Sequence, residues 1–181
     1  RYKNIWHHLE NDNVVLNSIE LLSKNAKFSK GVFATLIENN EFHDPHKIPV
    51  LITSNNFDLA TFFLLDPPHY VSTFIGGNPW FLVEFTQGSV ILNGFRLKQT
   101  NPRMKGFKIV CNNDIKDPIP NWLTLIDISE KTVGEHQELD IYLFDKPSPP
   151  VKYVSFIQTE ANWSYVIQLN FAHIDFFGSY L

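Results

Sequence analysis

Apolar residues follow two different spacings along the chain. From Asp12 to Lys24 they recur at helical spacing, after a polar cluster at 11–13 that can cap a helix start. This pattern predicts one amphipathic helix. Beyond Asn25 the helical spacing gives way to short apolar runs bounded by Gly, Pro, Asn or Asp, which are typical of β-strands.

About nine such runs predict strands, and several alternate apolar and polar residues. Phe95 and Leu97, for example, alternate with Arg96 and Lys98, which indicates one buried and one wet face, as in an antiparallel sheet. The predicted strands are Gly31 to Ile37, Ile48 to Thr53, Trp80 to Phe85, Ser89 to Lys98, Gly106 to Cys111, Trp122 to Asp127, Leu139 to Phe144, Val151 to Thr159, and Gln168 to Phe177. We therefore expect an all-β, antiparallel two-sheet sandwich preceded by a short α-helix, and no alternating β-α nucleotide fold.

Composition and charge narrow the classes of function. Of the 181 residues, 44% are hydrophobic and 14% aromatic, enough to close the core of a single domain. The net charge of -4 argues against a nucleic-acid partner. The single cysteine, Cys111, allows no internal disulfide, and the first ten residues show no secretory signal, so we expect an intracellular, cytoplasmic location. The longest apolar run, 62–65, is too short to span a bilayer, so we expect no transmembrane segment.

An ordered set of segments resembles a known family. The segments are Phe28 to Phe33, Phe42 to Asp44, Val50 to Ser54, Trp80 to Phe85, Phe107 to Val110, Asn112 to Asp114, Trp122 to Asp127, Val151 to Thr159, Asn162 with Trp163, and Ile174 to Gly178. In this order and spacing they resemble the intracellular type of the discoidin family, also called the coagulation factor five/eight type C or galactose-binding-like domain. Two departures stand out: Phe107 replaces a usual tryptophan, and Val110-Cys111 replaces a Gly-Ser pair before an Asn-Asp turn.

The resemblance implies a jelly-roll β-sandwich over residues 29–181, with residues 1–28 as a leader that contains the helix. It also implies a ligand, when there is one, on loops at one end of the sandwich. Sugars, lipid head groups and other proteins are all ligands of the family. The fold alone therefore leaves the function open.

The sequence offers little for catalysis or metal binding. His43, Asp44 and His46 are too few for a closed metal shell, and the resemblance gives His43 and Asp44 a role in stabilising a turn. Glu84, Asp127 and Asp175 lie on or at the ends of predicted strands within the family segments, and we expect their side chains to hydrogen-bond to backbone groups at strand ends. The chain is accordingly expected to be no enzyme and to need no cofactor or metal. Whether the domain binds a structural calcium ion stays open, because backbone carbonyl ligands in loops cannot be recognised in a sequence.

Four loops combine aromatic, amide and basic groups, and we expect them at one end of the sandwich: Pro67 to Tyr70, Phe74 to Pro79, Gln99 to Met104 and Gln158 to Trp163. A basic stretch, 95–108, holds five of the fifteen Lys and Arg residues and no acidic one. It suits an acidic partner or a solvated sheet edge equally well. The candidate ligand-binding residues are His69, Phe74, Asn78, Arg96, Lys98, Asn101, Arg103, Gln158, Glu160, Asn162 and Trp163.

Two hypotheses for the function follow. The first is a non-catalytic module that binds another protein, as part of a larger intracellular scaffold or adaptor. The N-terminal helix favours it, since such a helix can dock on a partner. The alternative is a lectin-like module that binds a glycan, favoured by the aromatic and amide-rich loops. In that case Trp163 would either stack on a sugar ring or plug the end of the sandwich.

Overall fold

Strands dominate the described part of the chain. The computed structural model describes residues 31–39, 48–54, 71–72, 80–99, 104–128, 139–162, 164–165 and 170–181. These residues hold one α-helix, α1 (Val32–Glu38), a short 3₁₀ helix (Ile119–Asn121) and nine β-strands. The strands are β1 (Val50–Ser54), β2 (Val71–Ser72), β3 (Trp80–Phe85), β4 (Val90–Gln99), β5 (Phe107–Asn112), β6 (Leu123–Ile128), β7 (Leu139–Leu143), β8 (Tyr153–Gln158) and β9 (Asn170–Tyr180).

The strands form two antiparallel sheets. The order in the five-stranded sheet is β1-β3-β8-β5-β6, and the order in the four-stranded sheet is β2-β9-β4-β7. Apart from β5 and β6, neighbouring strands are not consecutive in the sequence, so the chain crosses repeatedly between the sheets. The antiparallel β-sandwich predicted from the spacing of apolar residues is confirmed.

The core between the sheets is largely aromatic. In β3, Phe81 and Phe85 are buried while their neighbours along the strand are half-buried, which is the alternation of a sheet with one inner face. Phe107 of one sheet meets Phe95 of the other edge-on, with ring centroids 5.9 Å apart, and stacks on Phe156 at 4.9 Å. Burying one phenylalanine side chain stabilises the folded state by about 1.5–3 kcal/mol, because its apolar surface is removed from water. Aromatic packing therefore holds the two sheets together.

The strand predicted for Gly31 to Ile37 is wrong, because this segment is helix α1. Its β-branched and aromatic residues favour a strand by local propensity. The helix nevertheless buries Val32, Phe33 and Ile37, and Phe33 packs edge-on against Phe176 of β9 at 5.6 Å. Packing against a distant strand overrides local propensity here. The other eight predicted strands are present with ends that differ by up to three residues, and β2 was not predicted.

The turn after β5 forms although Phe107 and Val110-Cys111 differ from the residues usual in the family. Val110 lies within β5 and is 1% exposed, so a β-branched residue fits where the family has glycine. Asp117 organises the turn: its carboxylate accepts Nδ2 of Asn112 at 2.9 Å and Nδ2 of Asn121 at 2.8 Å. Its carbonyl oxygen accepts the indole N–H of Trp122 at 2.8 Å. The predicted leader, 1–28, and its helix lie outside the described residues.

Candidate ligand-binding site

Several strands end together at one end of the sandwich. In the five-stranded sheet, Ser54 of β1 is opposite Phe81 near the start of β3, and the end of β8 at Gln158 is opposite Phe107 at the start of β5. In the four-stranded sheet, the end of β4 at Gln99 is paired close to the start of β9. The connections between these strands, including 100–106 between the two sheets, therefore leave from the same end.

Two segments at this end are held together by backbone hydrogen bonds. They are residues 104–107 and residues 158–162 with 164–165, hereafter the loop pair. Met104 and Asn162 form an isolated antiparallel bridge, and the carbonyl oxygen of Gly106 accepts the amide of Thr159 at 3.0 Å. A Cβ on Gly106 would lie 2.8 Å from Cγ of Glu160, so any larger residue there would displace the side chain of Glu160.

A turn at the tip of the loop pair displays an aromatic ring. Oδ1 of Asn162 accepts the amide of Ser164 at 2.9 Å, and the carbonyl oxygen of Asn162 accepts the amide of Tyr165 at 2.8 Å. Tyr165 has a φ of 62°, in the left-handed region that residues other than glycine seldom adopt. Its side chain is 82% exposed, more than any other large apolar side chain described. Backbone strain of this kind concentrates at binding sites.

A buried cation supports this ring. Nζ of Lys105 lies 4.4 Å from the ring centroid of Tyr165, and Lys105 is only 7% exposed. An ammonium group over an aromatic face is attracted by the electron density of the ring. Lys105 therefore contacts a ring that is otherwise mostly exposed to solvent.

Three predicted site residues lie in the loop pair, but two of them are internal. Gln158 and Asn162 are both 0% exposed, and Nε2 of Gln158 donates to the carbonyl oxygen of Glu160 at 2.8 Å. Their side chains shape the loop instead of facing solvent. Glu160 is half-buried and packs along Gly106.

Two further predicted residues lie on β4. Lys98 is exposed near the end of the strand. Arg96 is 7% exposed and belongs to a buried cluster: Nη2 lies 3.6 Å from Oδ2 of Asp175, and Nε donates to Nε2 of His173 at 3.3 Å. The structure therefore places Arg96 in an internal ionic cluster. The remaining predicted residues lie outside the described residues: His69, Phe74, Asn78, Asn101, Arg103 and Trp163.

Sequence analysis missed Tyr165 and the role of Lys105. A turn-forming Asn followed by Ser and an aromatic residue, as in 162–165, is a local pattern that could have marked Tyr165. No local pattern links Lys105 to Tyr165, since the two residues are 60 positions apart and meet only through the bridge between their segments.

The expectation of hydrogen bonds to backbone groups is confirmed for Asp175, whereas Glu84 contacts side chains: its Oε1 lies 3.7 Å from Nζ of Lys152 and accepts the hydroxyl of Tyr153 at 3.5 Å. Oδ1 of Asp175 accepts the amide of Phe33 at 2.9 Å and that of Phe176 at 2.7 Å, and its Oδ2 accepts the amide of Ala34 at 3.1 Å. Burial raises the pKa of this carboxyl to about 6, although these amides and Arg96 pull it down.

Among the described segments, no group of three or more His, Cys, Asp or Glu residues is placed to hold a metal ion. His43, Asp44 and His46 lie outside these segments, and the expectation that no metal is needed stays a prediction. No helix in the described part is both long and apolar enough to cross a membrane.

Sequence comparisons and structure comparisons give different results. No family profile and no curated protein sequence matches the chain significantly. Solved structures do match, and they include carbohydrate-binding modules. Chitosan-binding module 1 of a chitosanase/glucanase from Paenibacillus sp. IK-5 is 18% identical with a TM-score of 0.57, over 72% of this chain and 96% of the module.

Two other matches were solved with sugars bound. The CBM32 module of AlyQ, in complex with 4,5-unsaturated mannuronic acid, is 14% identical with a TM-score of 0.54, over 70% of this chain and 93% of the module. A CBM32 module from Clostridium perfringens, in complex with GalNAc-β-1,3-galactose, is 11% identical with a TM-score of 0.55, over 71% of this chain and 95% of the module.

At these identities the likeness establishes the fold. The chain has the galactose-binding-like β-sandwich that these modules share, which is the fold implied by the resemblance in the sequence. Membership of the discoidin family itself stays a prediction. The likeness does not decide between the two hypotheses for the function.

Proposed function

We propose that this domain is a non-catalytic carbohydrate-binding module that holds a saccharide on the loop pair. The fold supports a binding role, since several of the matched structures are carbohydrate-binding modules, one of them solved together with an alginate lyase domain. The site supports the class of ligand. An exposed aromatic ring at the end of a rigid sandwich is suited to the apolar face of a sugar, and nearby polar groups can bind hydroxyls.

The exposed ring of Tyr165 is the observation that carries this proposal. Burying a side chain of this size stabilises a domain, so a tyrosine that is 82% exposed in a strained turn has no role in packing that would explain its conformation. Glu160 is half-buried and Ser164 exposed in the same segment, and both offer groups that hydrogen-bond to hydroxyls.

Glycan binding by the purified domain, followed by Tyr165 variants, tests the proposal. A glycan array identifies the saccharide, and calorimetry measures its affinity. Tyr165→Ala is expected to weaken binding by about tenfold, because a stacked ring contributes about 0.5–1.5 kcal/mol beyond its buried area. Its melting temperature should stay within about 2 °C, since an exposed side chain contributes little to folding.

Two control variants separate stacking from other effects. Tyr165→Phe keeps the ring and should keep most of the affinity. Ile115→Ala removes another exposed apolar side chain, 46% exposed, from the turn after β5 at the opposite end of that strand, and should not change binding. If no glycan binds, or if Tyr165→Ala binds as tightly as the unaltered domain, the proposal is wrong.

A further inference from the structure

We infer that Asn162 is a positioning residue for glycan binding, which holds the ring of Tyr165 where a sugar meets it and does not contact the sugar itself. This inference rests on the proposed function and adds to it the residue that prepares the site before a ligand arrives. Sequence analysis placed Asn162 among the candidates for direct ligand contact. Its complete burial and its hydrogen bonds to the turn support an indirect role instead.

The backbone of Tyr165 needs support to stay in its present conformation. Its φ of 62° brings the Cβ close to the adjoining backbone, which costs free energy in any residue other than glycine. A tyrosine released from its neighbours would therefore return to a negative φ, and its ring would move with the backbone. A side chain that is 82% exposed gains little from packing that could prevent this. The support has to come from the turn.

Asn162 supports the turn with two acceptor oxygens. Its carbonyl oxygen accepts the amide of Tyr165 at 2.8 Å, which closes a four-residue turn. Its Oδ1 accepts the amide of Ser164 at 2.9 Å. An asparagine side chain that binds the backbone two residues further on is a common way to fix such a turn. The two bonds together orient both peptide groups that lead into Tyr165.

Asn162 is itself anchored in the sandwich. It is 0% exposed and forms an antiparallel bridge with Met104, which is also 0% exposed. Earlier in the same segment, the amide of Thr159 donates to the carbonyl oxygen of Gly106 at 3.0 Å. The turn at 162–165 is therefore joined to buried backbone through Asn162, so this residue can transmit the rigidity of the sandwich to an exposed ring.

A ring that is already in place raises the affinity for a ligand. When a flexible side chain becomes fixed on binding, the lost entropy weakens the complex by about two- to tenfold. That loss is avoided where the free protein already holds the ring in the bound orientation. Asn162 therefore acts on affinity through Tyr165, from a buried position.

Two substitutions of Asn162 that differ in one acceptor test this inference by calorimetry. The probes are cellotetraose, galactotetraose and the glycan with the strongest signal for the unaltered domain on the array. Asn162→Ala and Asn162→Ser both lose the side-chain amide, but only serine offers an oxygen that can accept the amide of Ser164. Asn162→Ala should bind about three- to tenfold more weakly, and Asn162→Ser should regain part of that affinity. Equal affinities for the two variants would contradict the inference.

A double-mutant cycle separates positioning from direct contact with the sugar. If Asn162 acts only through the ring, Asn162→Ala should change the affinity of Tyr165→Ala by less than about twofold, because no ring is left to be held. If Asn162 bound the sugar itself, the two losses would be independent and the double variant would show their product. Multiplied losses therefore overturn the inference.

Nitrogen-15 relaxation of the ligand-free domain gives a measurement that needs no sugar. The amide of Tyr165 should have an order parameter of about 0.85 in the unaltered domain, as in rigid backbone, and below about 0.6 in Asn162→Ala. The amides of β5 serve as the reference and should keep their values in both proteins. An unchanged value at Tyr165 in Asn162→Ala would show that other groups hold the turn, which overturns the inference.

Ser164 supplies a second pair of variants if Asn162→Ala loses its near-UV signal. Ser164→Ala and Ser164→Gly lose the same exposed hydroxyl, but only glycine loosens the backbone within the turn. Ser164→Gly should therefore bind about two- to fivefold more weakly than Ser164→Ala. Equal affinities for this pair would show that a fixed turn is not needed, and the inference would be wrong.

The outcomes separate this inference from the proposed function. If Tyr165→Ala weakens glycan binding but Asn162→Ala leaves both the affinity and the order parameter of Tyr165 unchanged, the domain binds a glycan and the inference about Asn162 is wrong. If none of the probes binds, or if Tyr165→Ala binds as tightly as the unaltered domain, the proposed function is wrong and the inference falls with it.

Discussion

Asp175 shows how much one buried carboxylate can organise. It is 0% exposed, accepts the amides of Phe33 and Ala34 in the first turn of helix α1 and lies 3.6 Å from the guanidinium of Arg96. His173, beside it on β9, accepts a hydrogen bond from Nε of Arg96. These polar groups pin the start of the helix to the four-stranded sheet. Their cost is desolvation, which raises the pKa of Asp175 to about 6.

The raised pKa predicts a particular dependence of stability on pH. Because the folded form binds this proton more tightly than the unfolded chain, Asp175 contributes stability that is complete below about pH 4 and is lost as the pH rises through about 6. The loss amounts to about 3 kcal/mol at most.

Urea unfolding between pH 4 and 7 measures this effect, with Asp175→Asn as the comparison. The asparagine cannot ionise, so the free energy of unfolding of the variant should lack the decline that Asp175 causes in the unaltered protein. A carbon-13 titration of the Asp175 carboxyl should have its midpoint near pH 6. Parallel unfolding curves for the two proteins would contradict the assignment.

At the scale of elements, helix α1 depends on a close contact at the residue that precedes it. Gly31 precedes the helix with an ordinary φ of -74°, so its conformation does not require glycine. The limited space at this position does require glycine, because a Cβ there would overlap the carboxylate of Asp175. The helix can approach β9 closely enough to donate its amides only because this side chain is missing.

Gly31→Ala is therefore expected to destabilise the domain by about 1–3 kcal/mol, the usual cost of forcing extra atoms into a packed site. Thermal unfolding should show a melting temperature lower by several degrees. Glu38→Ala, on the exposed end of the same helix, is the control and should change stability by less than about 0.5 kcal/mol. Equal melting temperatures for Gly31→Ala and the unaltered protein would show that the contact is not needed.

For the whole molecule, the sandwich should fold without the preceding residues. The family segments begin near Phe28, and the described helix and strands pair and pack among residues 31–181. We expect a chain that starts at Lys27 to keep its near-UV and far-UV spectra and a cooperative thermal transition. A shortened chain with native far-UV but lost near-UV signal, next to a well-folded full chain, would show that residues 1–26 are part of the fold.

Local patterns determined the positions of most strands. Period-two alternation marks a strand wherever one face of a sheet is buried, as in β3, because burial of every second residue is a property of the strand itself. In β4 the wet face predicted at Arg96 is wrong, because Arg96 is buried as well as Phe95 and Leu97. The antiparallel sandwich follows from a series of such strands without intervening helices. The ends of the strands were less well predicted, since the pairing of neighbours decides where a ladder stops.

Only the tertiary structure decided the helix at 32–38 and the composition of the site. Phe33 is 142 residues from the carboxylate that accepts its amide, and Lys105 is 60 residues from the ring that it supports. The burial of Arg96 in an ionic cluster and the exposure of Tyr165 likewise depend on partners from other strands. Local propensity is set by neighbours in the sequence, whereas a buried charge, a close contact or an exposed ring is set by neighbours in space.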